Sequence, residues 1–276
     1  MNTLMFPGQG SQFKGMGTEL FAQFPSEVKL AKEVLGYSIK ELCMNNPNNE
    51  LAKTEFTQPA LFLVEALTYK SKYSQNFNFD YCIGHSLGEY TALYAAGAYD
   101  LVTGLRLVQK RGNLMAQAQG GGMLAVINLP VNRIQELLQI NEINSIDFAN
   151  YNSPKQIVLS GPIEDITKAQ DFLSKEALIC IPLNVSAAFH SRYMELAAKE
   201  FEQFLEPFTM SNLQTQVISN ASAKPYTNTT IKENLVKQIT SPVMWVETID
   251  YIKSNGGTEF IEVGPGTVLT RLMTSN

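Results

Sequence analysis

The run "DYCIG" leads directly into "GHSLG" and then into the alanine-rich "EYTALYAAGAY". Nothing else in the chain restricts its fold as strongly. A short apolar strand ending on Gly84, a serine at 86 and a glycine at 88 fit G-x-S-x-G. In that pattern a sharp strand-to-helix turn holds the serine in strained backbone geometry with its hydroxyl exposed. Gly84 and Gly88 leave room for the strand and the helix to approach closely. A serine in a glycine turn can also simply cap a helix. The strand before it and the helix after it favour a nucleophile.

The surrounding pattern alternates in the way that builds an α/β fold. A strand "TLMF" opens the chain, followed by the glycine loop "PGQGSQ". Helices are expected from about Gly17 to Phe24 and from Gln58 to Ser74. "TGLRLVQKRGNLMAQA" reads as a long helix with its inward face at 101, 105, 108, 112 and 115. From Met123 the order becomes β-α-β-β-α-β, the split arrangement of ferredoxin-like modules. These are "MLAVINL", "VNRIQELLQI", "SIDFANYN", "QIVLSGP", "IEDITKAQDFLSKE" and "ALICIPLNV". Afterwards a helix over Ser191–Leu205, the strand "TQVISN", the helix "TIDYIKSN", the strand "EFIEVG" and a last helix in "GPGTVLTRL" resume the first pattern. Residues 1–122 and 186–276 are therefore expected to form a hydrolase-like α/β domain with a mainly parallel sheet. Residues 123–185 form an inserted ferredoxin-like subdomain.

Charge and cysteine usage exclude several functions. A formal net charge of −5 argues against nucleic-acid binding, so anionic ligands need a local cluster of cations. Three scattered cysteines without a CxxC pair, and two histidines far apart in sequence, argue against a zinc site. "MNTLMFPGQG" lacks a basic segment and is broken by Pro7 and Gly8, unlike a signal peptide. No run of 18 apolar residues is present, so no membrane span is expected. A reducing cytoplasm fits best.

A serine nucleophile needs a base and an oxyanion site. The two histidines are His85 and His190. Adjacent side chains diverge on so sharp a turn, so His85 is expected to point away from the hydroxyl and to pack or hydrogen-bond beneath the elbow. His190, in "AAFHS", is left as the base. It must then be neutral, with one ring nitrogen toward Ser86 and the other on an acceptor. Asp147, Asp165 and Asp171 have no special loop setting, so no third-member carboxylate stands out, and a backbone carbonyl can serve instead. The N–H of Leu87, at a helix N-terminus, is one oxyanion donor. Gln9 in the glycine loop is the candidate for the other, unless that loop only connects strand to helix.

Arg111 falls about 60° from Val108 on the flank of the buried helix face. Either its stem packs on the core while its head reaches water, or its charge faces an acceptor inside the protein.

The motifs "FPGQGSQFKGMG", "TQPALF", "GHSLGEYTAL", "VQKRGNLM", "NYNSP", "AAFHS", "SPVMW" and "EVGPGTVLTRL" occur in order over essentially the whole chain. Together they make it resemble the malonyl-CoA:acyl carrier protein transacylases, most closely a discrete trans-acting acyltransferase of a polyketide synthase. The resemblance implies a hydrolase-like fold with a ferredoxin-like insertion. It also implies Ser86 as the acylated nucleophile, His190 as the base, and the N–H groups of Gln9 and Leu87 as the oxyanion hole. A main-chain carbonyl near Gln238 would orient the histidine. Arg111 would grip the free carboxylate of malonyl through a two-pronged bond worth ~1.5–3 kcal/mol, which lysine's point charge does not match. Phe189 before the base implies malonyl over branched acyl groups, and core packing is compatible with that role. Asn150 and Asn152 would lie near the acyl or pantetheine site. The implied partners are malonyl-CoA and an acyl carrier protein, free or within a polyketide synthase, with no cofactor, metal, nucleic acid or membrane. Arg192, Lys14 and Lys155 are candidates to meet the phosphates and the acidic carrier.

Two related activities share this machinery: hydrolysis of stalled acyl groups from carrier proteins, and malonyl transfer for fatty acid synthesis. Arg111 favours transfer over hydrolysis. A non-enzymatic recruiting module is disfavoured because nucleophile and base are both present. A lipase-like hydrolase is disfavoured because no acid stands in the usual order between Ser86 and a late histidine.

Overall fold

The computed structural model describes residues 1–75 and 77–274. Ser275 and Asn276, which end the segment expected to complete the α/β domain, lie outside the described residues. Strand β1 (Asn2–Phe6) is followed by helices α1 (Thr18–Gln23), α2 (Pro25–Leu35), α3 (Ile39–Asn45) and α4 (Thr54–Lys72). Then come β2 (Tyr81–Gly84), α5 (Gly88–Ala95) and α6 (Leu101–Gln117). Helices α2 and α3 are additions to the expected set. Pro25 starts α2, where its missing N–H costs nothing. The Ser38 side chain caps α3 by accepting the Glu41 N–H at 3.2 Å. Helix α4 begins earlier than the expected Gln58, which puts Gln58 inside its buried face.

The middle of the chain forms its own sheet. It consists of β3 (Gly121–Ile127), α7 (Val131–Ile140), β4 (Asp147–Ser153), β5 (Gln156–Pro162), α8 (Ile163–Leu173) and β6 (Ile179–Pro182). The strand order is β4-β5-β3-β6 and every pair is antiparallel. This is the order that a split β-α-β unit produces. Leu124, Val126, Ile134, Leu159 and Ile166 form its separate apolar core.

The chain then adds α9 (Glu195–Leu205), β7 (Gln216–Val217), α10 (Ile231–Thr240), α11 (Trp245–Ser254), β8 (Glu259–Glu262) and α12 (Val268–Met273). The first sheet has the order β7-β2-β1-β8, parallel throughout, with β1 and β2 in its centre. Buried on both faces, these strands are almost wholly apolar, as a parallel sheet requires. The fold is thus mixed α/β, with a parallel sheet and a separate antiparallel sheet, as expected.

Two local expectations need correction. The strand expected over "TQVISN" pairs only at Gln216 and Val217, because Ile218 turns to bridge Pro225 instead. That turn delivers the Asn220 side chain to the end of β2, where it donates to Gly84 O at 2.6 Å. Helix α10 was unexpected. Strand β4 is tied to the segment between α10 and α11, where Val243 N–H donates to Ala149 O at 2.8 Å and Tyr151 N–H to Val243 O at 3.0 Å. These bonds fix β4, and with it Asn150 and Asn152, beside the elbow.

Candidate active site

Ser86 sits between β2 and α5 with φ +53°. That left-handed conformation is rare for a residue with a side chain, and it persists only where neighbours enforce it. The neighbours are glycines for a steric reason. A Cβ on Gly84 would lie 1.9 Å from the carbonyl carbon of Gly88, and one on Gly88 would lie 1.9 Å from Phe6 O. The turn is also stapled from outside. Asn220 Oδ1 accepts the Ser86 N–H at 2.7 Å while its Nδ2 donates to Gly84 O. No motif or periodicity marked Asn220.

His190 reaches the hydroxyl from the far side, its Nε2 at 2.7 Å from Ser86 Oγ. Its Nδ1 lies 2.9 Å from Gln238 O and 3.2 Å from Ser241 O. Carbonyls only accept, so Nδ1 carries the proton and the Nε2 lone pair faces the serine. Burial, and then the charge of Arg111, lower the His190 pKa to about 3. The ring is neutral at rest. His85 does turn away from the hydroxyl, with Nε2 2.8 Å from Asn152 Oδ1 and its ring beside Trp245. It is half-buried, and its expected packing and hydrogen bonding are with Trp245 and Asn152, where it lines both cavities of the site.

Arg111 on α6 is 1% exposed. Its head does not reach water. It donates to Gln58 Oε1 at 2.9 Å, to Gln238 Oε1 at 2.8 Å and to Ser86 Oγ at 3.1 Å, over the face of Tyr90. Its Nε has no partner, and among the described residues no carboxylate pairs with it. Gln58 was quoted within "TQPALF", but nothing in the sequence marked it as the partner of Arg111.

Ser86, His190, Arg111, Leu87, Gln9, Phe189 and Asn150 all line one cavity of about 90 Å³. A second cavity of about 380 Å³ adjoins it through Gln9, His85 and Asn150 and includes Asn152. Phe189 is 6% exposed and both lines the cavity and packs in the core. Among the described residues, the N–H groups of Gln9 and Leu87 have no hydrogen-bond acceptor. Gln238 stands behind the site on α10. Arg192 is committed to Asp147 through a two-pronged ion pair. The structure therefore gathers the expected nucleophile, base and guanidinium around one small chamber. This arrangement can activate a hydroxyl, hold an oxyanion and receive a negative charge.

The acyl transferase domain family matches residues 3–275. The chain is 50% identical over 99% of its length to the polyketide biosynthesis malonyl CoA-acyl carrier protein transacylase BaeC of Bacillus velezensis, covering 96% of it. It is 47% identical to the polyketide biosynthesis protein ThaF of Burkholderia thailandensis over 99% of this chain, but spans only 24% of that longer protein. A crystal structure of a malonyl CoA-acyl carrier protein transacylase from Burkholderia pseudomallei superposes with a TM-score of 0.96 at 44% identity, covering 100% of this chain and 97% of that one. A malonyl-transacylase solved in complex with a type II polyketide synthase acyl-carrier protein superposes with a TM-score of 0.94 at 34% identity, covering 99% and 92%. This chain belongs to the acyl transferase domain family.

Proposed function

We propose that this protein transfers malonyl from malonyl-CoA to the phosphopantetheine thiol of an acyl carrier protein, through an ester on Ser86. The observation that carries this reading is Arg111. A buried guanidinium bonded only to neutral groups lies 3.1 Å from the serine oxygen. Burying a charge without a counter-charge is costly. An acyl group ending in a carboxylate supplies the missing anion from the position of the ester. The chamber of about 90 Å³ has roughly three times the ~30 Å³ that a water occupies in the liquid, which suits a short acyl unit.

In the first half-reaction Ser86 Oγ forms a bond to the thioester carbonyl carbon as His190 Nε2 takes its proton. The carbonyl electron pair moves to oxygen, which the N–H groups of Gln9 and Leu87 receive. Collapse breaks the carbon–sulfur bond, and His190 returns the proton to the coenzyme A sulfur. In the second half the carrier thiol gives its proton to His190 and attacks the ester, and Ser86 leaves with that proton. The Gln238 carbonyl keeps His190 in the required tautomer. Burial first and the Arg111 charge second depress the His190 pKa, so a carboxylate that neutralises Arg111 removes the second cause when the right substrate is present. Protons and electrons balance without a metal or redox carrier.

The likeness to BaeC, a polyketide biosynthesis transacylase, and to the transacylase bound to its carrier supports a carrier protein as acceptor and polyketide assembly as the pathway. We place the reaction in the cytoplasm, which suits the unpaired Cys43, Cys82 and Cys180. Among the described residues no helix is long and apolar enough to cross a membrane.

Intact-protein mass spectrometry tests the reading. Malonyl-CoA should add one malonyl group to the wild type and none to Ser86→Ala, and holo carrier protein should discharge it. Labelling of Ser86→Ala at full stoichiometry would refute the assignment. Discharge to water faster than to the carrier would make the protein a hydrolase.

A further inference from the structure

We propose that Glu89 is a positioning residue that fixes the orientation of the Gln238 amide, and through it the guanidinium that selects a carboxylate-bearing acyl group. This rests on the malonyl-transfer reading above. Glu89 lies in the first turn of α5 and is fully buried. Its Oε1 accepts the Asn220 N–H and the Tyr226 hydroxyl, both at 2.7 Å. Its Oε2 accepts Gln238 Nε2 at 2.5 Å. Gln238 Nε2 also donates to Ser86 O at 2.7 Å. With Glu89 ionised, both amide hydrogens therefore meet groups that can only accept. Flipping the amide would set its oxygen against a carboxylate oxygen and a carbonyl oxygen, leaving buried donors and acceptors unmatched. The Oε1 end is thereby committed to Arg111 at 2.8 Å.

Gln238 thus serves two parts of the site. Its main-chain carbonyl holds His190 and its side chain holds Arg111. Glu89 governs the second of these without touching the reacting atoms. The role needs an acceptor at both ends of the side chain. The Asn220 backbone N–H cannot rotate, so at position 89 it demands an oxygen. In a Glu89→Gln variant the amide nitrogen must then face Gln238. Gln238 relieves that conflict by turning its oxygen toward residue 89, which brings Nε2 against Arg111. The carboxylate also matters as charge. Burial raises its pKa to about 7, while the donors around it and the Arg111 charge pull it down. A bonded carboxylate behind Gln238 therefore faces an otherwise unpaired cation.

Acylation of Ser86 from malonyl-CoA and from acetyl-CoA is measured on wild type, Glu89→Gln, Gln238→Met and the double variant. Failure of the wild type to form a malonyl adduct would overturn the transfer reading itself. With that adduct formed, Glu89→Gln should lower the malonyl-to-acetyl ratio of kcat/KM about tenfold, mainly through KM for malonyl-CoA. A general loss of packing would lower both donors alike. The double variant should show the same ratio as Gln238→Met alone, because both changes act through one amide. An unchanged ratio in Glu89→Gln, or additive losses in the double variant, would overturn the proposal. If Glu89→Gln does not fold, an unchanged ratio in Gln238→Met overturns it, and a reduced ratio there with an intermediate one in Glu89→Asp upholds it.

Discussion

Two arginines show how differently the two halves of this molecule are built. Arg111, behind the elbow, is buried and bonded to two amides and a hydroxyl. Arg133, on the antiparallel sheet's helix α7, is half-buried and held by two carboxylates, with Glu176 bound at 2.7 and 2.5 Å and Glu136 at 2.6 Å. The pattern extends beyond the pair. Among the described residues the antiparallel unit buries only neutral polar side chains, Asn150, Asn152, Ser153 and Ser160, beside its apolar core. The parallel-sheet unit buries Glu65, Glu89, Gln58, Gln238, Asn220 and His190 as well. Its Ser86 and His190 also adopt left-handed backbone conformations at φ +53° and +56°. One unit follows the rule that charges belong in water with partners. The other departs from it wherever chemistry needs a poised group, and hydrogen bonds from neighbouring elements offset the cost.

The comparison breaks most sharply at Arg111. Arg111→Ala should lower the malonyl-to-acetyl preference by about tenfold or more, following ~1.4 kcal/mol per decade. Competition between the two acyl-CoA donors, read by mass spectrometry of the Ser86 adduct, measures it. Intact selectivity would mean that the cation serves structure and that the two halves differ less than argued here.

The same contrast explains what could be read in advance. The antiparallel unit follows from alternation and helical periodicity, which are local, and its strands and helices match the expected order. The elbow was legible because its glycines fall at set places within five residues, although the clash that Gly88 avoids is with Phe6 of β1. His190 emerged from counting histidines. Arg111 could be placed on a helix flank, but its environment could not, because Gln58 and Gln238 arrive from α4 and α10. Asn220 and Glu89 gave no signal of a role, since their partners lie more than a hundred positions away. Helix α10 was overlooked although its polar face holds the network together. Polar networks formed by distant segments leave no periodic trace, and that is where the reading stopped.

A second test sharpens the contrast from the apolar side. Ile134, fully buried on α7, should cost about 2–5 kcal/mol when cut to alanine, as deletions in well-packed cores do. Chemical denaturation measures that loss. Selectivity between acyl donors at a temperature where the variant stays folded should not change, because Ile134 lines neither cavity of the site. A change in selectivity would show that the apolar unit helps to tune the chamber rather than only flank it.

The smallest effect is expected at Arg133. Its ion pairs are short, but both partners are solvated, and exposed pairs lose in side-chain entropy and screening most of what attraction gains. Arg133→Ala should leave the denaturation midpoint unchanged within error at physiological salt, and raising the salt should not alter that result. Set beside Arg111→Ala, it separates geometry from consequence. The arginine with the better ion-pair geometry should be dispensable, while the one with no ion pair should decide which substrate the enzyme accepts. A clear loss of stability in Arg133→Ala would mean that the Arg133–Glu176 contact pins α7 to the turn after α8. The antiparallel unit would then also depend on a long-range polar contact.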